Sequence, residues 1–337
     1  MSLNEKTYVK LFSCVLISKG YSKILLIDIQ RKDYYSFSTR YASILDALET
    51  GILNSQIDTE FNSLISFLRK EELVFNTSEP WKFPSINTAL QFRNTISNVS
   101  LVVSDHTIKN ILDKSFIEIL DSLMIEGIFI HVNMEVFNKV EEVVTHLSTC
   151  VARSIELSLS YDIENLNFYK SLVQKNPRIN KIYVHNSKSN TVEKLYEDTF
   201  VVYSTKTDNL FKKTRSMSKD YLQINRTLAL ESYHYHTYFN RKIFFDEKGD
   251  IMNAPEYKKS FGNIKNIRST EDILKIVSSS DFQKYWSITK EKIAICKDCS
   301  YKPMCVDNRL PLPHKLNNQE WYHKEECNYD PYIGEWK

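Results

Sequence analysis

From about residue 96 to 205, strand-like and helix-like runs alternate along the chain: VSLVVS, an amphipathic stretch through IKNILDKSFIEILDSLMIEG, IFIHVN, EVFNKVEEVVTHLSTC, SIELSLS, ENLNFYKSLVQKN, KIYVHN and FVVYS. A β-α-β-α order requires right-handed crossovers and yields a mostly parallel sheet covered by helices, so the expected fold class is α/β. About four such strands are half of an eightfold barrel. The expectation is therefore a partial (β/α) barrel or a short open sheet, spanning residues 90–222. With 337 residues in all, two or three packed units are expected.

The segment before it has a different grammar. YVKLFSCVLIS, a turn at Lys19-Gly20-Tyr21-Ser22, KILLIDI and DYYSFS read as short strands. Thr39 is placed to cap a helix with Ile44, Leu45 and Leu48 on one face, and Asp58 to cap a second with Phe61, Leu64, Ile65 and Leu68. ELVFN closes the module as a strand. Strands, short helices and a closing strand over residues 1–82 suggest a winged-helix-like module, and the two prolines of EPWKFPS mark its boundary.

Residues 223–337 form the third region. NRKIFFDEKGDIMNAPE has the shape of a hairpin turning at Glu247-Lys248-Gly249-Asp250. Ser269 heads a capping-box-like STED with Ile273, Ile276 and Val277 facing inward. SDFQKYWSI reads as a second short helix whose Phe282, Tyr285 and Trp286 are core residues.

Composition removes several functional classes. Apolar residues make up 42% and charged residues 26%, which suits a packed globular protein. A net charge of +2 supplies no global field for nucleic acid, and the basic run NLFKKTRSMSK (Asn209 to Lys219) reads as a solvated loop. No apolar stretch approaches the ~18 residues of a membrane span, and no signal-peptide pattern opens the chain. A cytoplasmic location follows as the expectation. There are six glycines in all and no glycine-rich phosphate loop.

Four cysteines crowd the C-terminal end as C-x2-C-x5-C-x21-C: Cys296, Cys299, Cys305 and Cys327. In a reducing compartment such a cluster points to metal rather than disulfides. Four thiolates suit either tetrahedral Zn²⁺ or a [4Fe–4S] cluster, and with every position filled by protein the site is closed to substrate. Cys14, set in a strand, and Cys150, at a helix end, read as lone buried hydrophobes.

These residues resemble the SPASM domain, the C-terminal extension of many peptide-modifying radical S-adenosylmethionine enzymes. KGDIMNAPEYKKSFGNI through DFQKYWSITKEKIAICKDCSYKPMC follows that family's order of hairpin, GNI element, helices and cysteine motif. The departures fall together. Arg309 and Ala254 stand where the family pattern has cysteines, and upstream there are only His234 and His236, which two apart on an extended segment would point the same way. In the family those lost positions ligate one auxiliary cluster, whereas Cys296, Cys299, Cys305 and Cys327 match the other, and the precedent favours [4Fe–4S] over zinc.

The family's catalytic C-x3-C-x2-C after the first barrel strand is missing: VSLVVS is followed by DHTIKNILDK. Without three thiolates there is no site-differentiated cluster to cleave S-adenosylmethionine. The chain thus resembles the SPASM-containing maturation proteins of "grasp-with-spasm" systems, which accompany an ATP-grasp ligase and a precursor peptide. The resemblance implies a degenerate radical-enzyme core, no use of S-adenosylmethionine, and an N-terminal module that captures a leader peptide as an added strand. VLIS and KILLIDI are the candidate edge strands. The implied function is an accessory, non-catalytic maturation factor. Two alternatives stand beside it: an enzyme using the retained cluster or histidines, with His106 past the first barrel strand as the best-placed group, and a structural zinc protein of another assembly.

Overall fold

The computed structural model describes residues 6–89, 92–161, 166–206, 219, 222–314 and 320–337. Residues 209–218 of the basic run lie outside them. No helix among the described residues is long and apolar enough to cross a membrane. The described residues group into two compact units, one drawn from 1–91, 215–237 and 287–337, the other from 92–214 and 238–286.

In the first unit, strands β1 (Tyr8–Leu11), β2 (Val15–Lys19), β3 (Lys23–Asp28) and β4 (Asp33–Ser38) precede helix α1 (Ala42–Thr50), strand β5 (Ile52–Leu53), helix α2 (Asn62–Lys70) and strand β6 (Val74–Thr77). The run expected as one strand, YVKLFSCVLIS, is broken by a turn in which the Val15 amide donates to Phe12 O at 2.9 Å. Its halves enter different sheets. β1 lies between β5 and β6, while β2, β3 and β4 form an antiparallel meander.

β3 is the middle strand of that meander and is buried on both faces. Ile24 and Leu26 join Leu45, Leu48, Leu64 and Leu68 of the helices. Leu25 and Ile27 turn the other way, into a second core with Tyr301, Met304 and Tyr329. The unbroken apolar run KILLID is therefore the signature of a central strand, because alternation disappears when both faces are covered. Of the two candidate edge strands only VLIS is an edge; KILLIDI is paired on both sides.

The helix faces emerge as the spacing implies, with Ile44, Leu45 and Leu48 buried in α1 and Leu64, Ile65 and Leu68 in α2. Their caps differ. Ser38, not Thr39, accepts from the Arg40 amide at 3.4 Å, and Asp58 makes no side-chain cap bond. A short helix α7 (Arg226–Glu231) completes the described helices of this unit.

The second unit is built on β7 (Asn98–Val103), α3 (Ile108–Ile111), α4 (Lys114–Ser122), β8 (Gly127–Val132), α5 (Val140–Leu147), β9 (Ser154–Ser160), α6 (Leu166–Lys175) and β10 (Ile179–His185). β11 (Thr191–Tyr196) and β12 (Thr199–Tyr203) extend one side, and β13 (Lys242–Phe245) and β14 (Ile251–Met252) the other. The order is β11-β12-β10-β9-β8-β7-β13-β14, parallel from β12 to β13 and antiparallel at each end. The sheet is open and mixed. β11 and β14 end it, so no barrel closes.

The 246–250 turn is built as the hairpin requires: Asp246 accepts from the amides of Lys248 and Asp250, and Gly249 takes a left-handed φ of 84°. Helix α8 (Thr270–Val277) starts with a Ser269–Asp272 capping box and buries Ile273 and Val277. SDFQKYWSI is not a helix but a series of turns; its Phe282, Tyr285 and Trp286 are nonetheless buried, because packing rather than local hydrogen bonding fixes them.

Candidate metal centre

Cys296 opens a short 3-10 turn, Cys296–Asp298, and Cys299 ends it; a second turn, Lys302–Met304, delivers Cys305. The Tyr301 amide donates to Cys299 Sγ at 3.3 Å and the Tyr329 amide to Cys327 Sγ at 3.4 Å. Backbone donors aimed at sulfur are the kind that stabilise a thiolate ligand. The thiols feel one another's charge: Cys299 is influenced by Cys296 and Cys327, and Cys305 by Cys299 and Cys296.

The second core backs this loop. Leu25 and Ile27 of β3 and Leu16 of β2 pack with Tyr301, Met304 and Tyr329, and Cys299 and Cys327 lie against the same cluster. Rings of Tyr301, Tyr329 and Trp336 meet at centroid distances of 4.8 to 5.4 Å. The β2–β3 turn is tied on directly, with the Tyr21 amide donating to Asp298 O at 2.8 Å.

Beside the thiols sits a knot of buried charge, of which the sequence reading singled out Arg309 alone, as a lost cysteine position. Asp307 is fully buried and accepts from Arg309 Nη2 at 2.6 Å and Nε at 2.9 Å. Lys290 Nζ and His323 Nε2 each lie 3.3 Å from the same carboxylate. Arg309 also donates to Glu325 O at 2.7 Å. Burial works against Asp307 ionising, but Lys290 and Arg309 outweigh it and hold the carboxyl well below its ordinary range. Burial pushes His323 down to about 4, so its imidazole is neutral at pH 7. The signal available in the sequence was charge between metal-ligand candidates, in CVDNRL and HKEEC; such charges are usually solvated, and nothing local marks these as buried.

Burial also raises Cys296, Cys299 and Cys305. Cys296 is pushed up to about 11, with Lys290 pulling the other way, and Cys299 to about 12. Cys305 is raised well above the ordinary thiol range, again with Lys290 opposing. Without a cation to replace their protons these sulfurs stay neutral, which is why loading such a site releases protons. A cavity of about 250 Å³ opens on Cys296, Cys327, Arg309, His323 and Tyr322.

Among the described residues, one set of potential ligand atoms lies within 4.8 Å of one another: those of Cys296, Asp307 and His323. A cation there would face Lys290 and Arg309, which already occupy the carboxylate. Asp307 of that trio is already the anion of two ion pairs. Of the four cysteines, that set holds Cys296.

His234 and His236 lie in turns after α7, not on an extended segment; His234 is exposed, with Nε2 3.1 Å from Thr88 O, and His236 is buried. His106 is exposed past the end of β7, its amide donating to Ser104 Oγ at 3.2 Å. Cys14 lies in the β1–β2 turn rather than a strand, and Cys150 is buried after α5; burial raises both thiols.

No protein-family model matches the chain, and no curated protein does. Among solved structures, Streptococcus suis SuiB bound to S-adenosylmethionine is similar at 11% identity over 88% of this chain and 94% of that chain, with a TM-score of 0.32. SuiB bound to precursor peptide SuiA gives the same identity and coverage with a TM-score of 0.28. Superposition this loose does not establish a common fold.

Proposed function

We propose that the chain is an accessory, non-catalytic peptide-maturation factor, cytoplasmic, which binds the leader of a ribosomally made precursor and works with an ATP-grasp ligase. In this reading Cys296, Cys299, Cys305 and Cys327 hold a [4Fe–4S] cluster as a staple, and S-adenosylmethionine is not used. The observation that carries it is the shared core: the far face of β3 packs on the loops that bear the thiols, so a filled centre would rigidify the strands of the recognition module.

The donor set fits the group. Four thiols are soft ligands enough for either metal. The resemblance of KSFGNI and the cysteine motif to SPASM-containing maturation proteins points the same way.

Peptide capture is assigned to the edge of β4. Among the described residues that strand pairs only with β3, and α2 sets Phe67, 37% exposed, against Tyr35 and Phe37 at 5.7 and 5.8 Å. An edge strand beside a helix that presents apolar side chains is the arrangement that accepts an extended peptide. Isothermal titration of anaerobically purified protein with the leader of its precursor tests this: binding at micromolar concentration, lost in Phe67→Glu, supports it, and no heat with the wild type refutes it. Iron, sulfide and zinc content per chain separates the cluster from structural zinc.

A further inference from the structure

Lys290 is 4% exposed, Arg309 3% and Asp307 0%, and both cations lie against the one carboxylate, at 3.3 and 2.6 Å. Two cations against one carboxylate leave one positive charge buried. Among the described residues Lys290 Nζ finds no hydrogen-bond acceptor; it is held by its 3.3 Å ion pair with Asp307. Cys296 Sγ lies within 4.8 Å of the Asp307 carboxylate, and Arg309 lines one cavity with Cys296 and Cys327. A surplus charge in a protein interior costs several kcal/mol unless something opposite stands near it. Neutral thiols offer nothing opposite. Four thiolates around a core of charge +2 carry a net charge of about −2, next to which the surplus is favourable.

We propose that Lys290 and Arg309, set against Asp307, are the charge-compensating shell of an anionic four-thiolate centre, and that the sum of these three charges sets how firmly the centre is held and how readily it accepts an electron. This rests on the metal reading given above. It assigns Lys290 a positioning role that acts through charge, not through contact with any substrate.

The test uses the full chain, purified without oxygen, with iron release to bipyridyl and a potentiometric titration as readouts. Lys290→Met removes the surplus; release becomes at least tenfold faster, and the reduction equilibrium constant falls about tenfold, which is 59 mV for one electron. Lys290→Met combined with Asp307→Asn restores the sum to +1, and both readouts return to within about threefold of wild type. A purely structural lysine predicts the reverse, because the double variant removes more contacts. If Lys290→Met comes out iron-free, recovery of iron in the double variant supports the proposal, and its absence overturns it. Unchanged release and potential in Lys290→Met also overturn it while leaving the metal reading intact. Wild-type protein without any metal ends both. Should the wild type hold zinc, release to the chelator pyridylazoresorcinol decides by the same ratios.

Discussion

Gly20 lies so close to Ser300 that a Cβ on the glycine would sit 2.6 Å from the Ser300 amide nitrogen and 2.9 Å from Asp298 O. Both are backbone atoms of the cysteine loop and have little freedom to retreat. Gly20→Ala is expected to push the β2–β3 turn off that loop, at a cost of about 1–3 kcal/mol. Chemical denaturation should register the loss, and metal per chain should fall with it. A variant with wild-type stability and metal content would show that the turn and the loop are independent.

The two faces of β3 separate two kinds of damage. Leu25 packs with Tyr301 and Tyr329, Leu26 with the α1 and α2 core. Truncation of either to alanine should cost about 2–5 kcal/mol, since both are fully buried. Only Leu25→Ala is expected to speed metal release to a chelator at a temperature where both variants remain folded. Equal release rates would contradict the shared-core argument.

These strands also show what could be seen in advance. Ile44, Leu45 and Leu48, and the Ser269–Asp272 box, were legible because helix faces and caps depend on neighbours three or four residues away. The same holds for the Gly249 turn. KILLIDI was legible as a strand but not as a central one, since which chain segment covers each face is a long-range fact. The parallel pairing of β13 with β7, which joins residues 242–245 to 98–101, has no local trace either. Spacing makes the four cysteines ligand candidates, whereas nothing local shows that Lys290, Asp307 and Arg309 are buried together: a charged residue reads as surface until the fold closes over it.

Helices α4 and α8 should carry an acid-sensitive share of stability. Asp113 is held below its ordinary range by its hydrogen bonds from Ser115, and Asp272 by those from the Arg268 and Ser269 amides. A carboxyl depressed in the folded state contributes fully above its unfolded value, about 3.9, and that contribution disappears as pH falls through the lower folded value. Urea melts below about pH 4 are therefore expected to shift less with pH in Asp113→Asn/Asp272→Asn than in wild type, because asparagine caps without titrating. Parallel profiles would rule the caps out as the source.

Ile295 precedes the first thiol with φ 68° and ψ −46°, a conformation rare for a β-branched residue, while its side chain is 54% exposed. Strain of this sort amounts to about 1–3 kcal/mol, and glycine relieves it at an entropic cost of about 0.5–1 kcal/mol. Ile295→Gly should thus match or exceed wild-type stability, by up to about 2 kcal/mol, and keep its metal. Ile295→Val, which retains the branch, should not gain. A destabilised glycine variant would mean that the isoleucine side chain contributes contacts its exposure conceals.

Metal removal should act unevenly. Binding free energy at a closed thiolate site is folding free energy, and the loops bearing Cys296, Cys299, Cys305 and Cys327 have little regular structure of their own beyond short turns. The parallel strands β7 to β10 bury continuous apolar rows and need no metal to do so. After anaerobic chelation, hydrogen exchange is expected to accelerate in residues 287–314 and 320–337, and next in β2 and β3, whose far face rests on that core. Strands β7 to β10 should keep their protection. Uniform acceleration across both units would argue for a single cooperative fold, and no acceleration anywhere would mean that the four cysteines are not a staple.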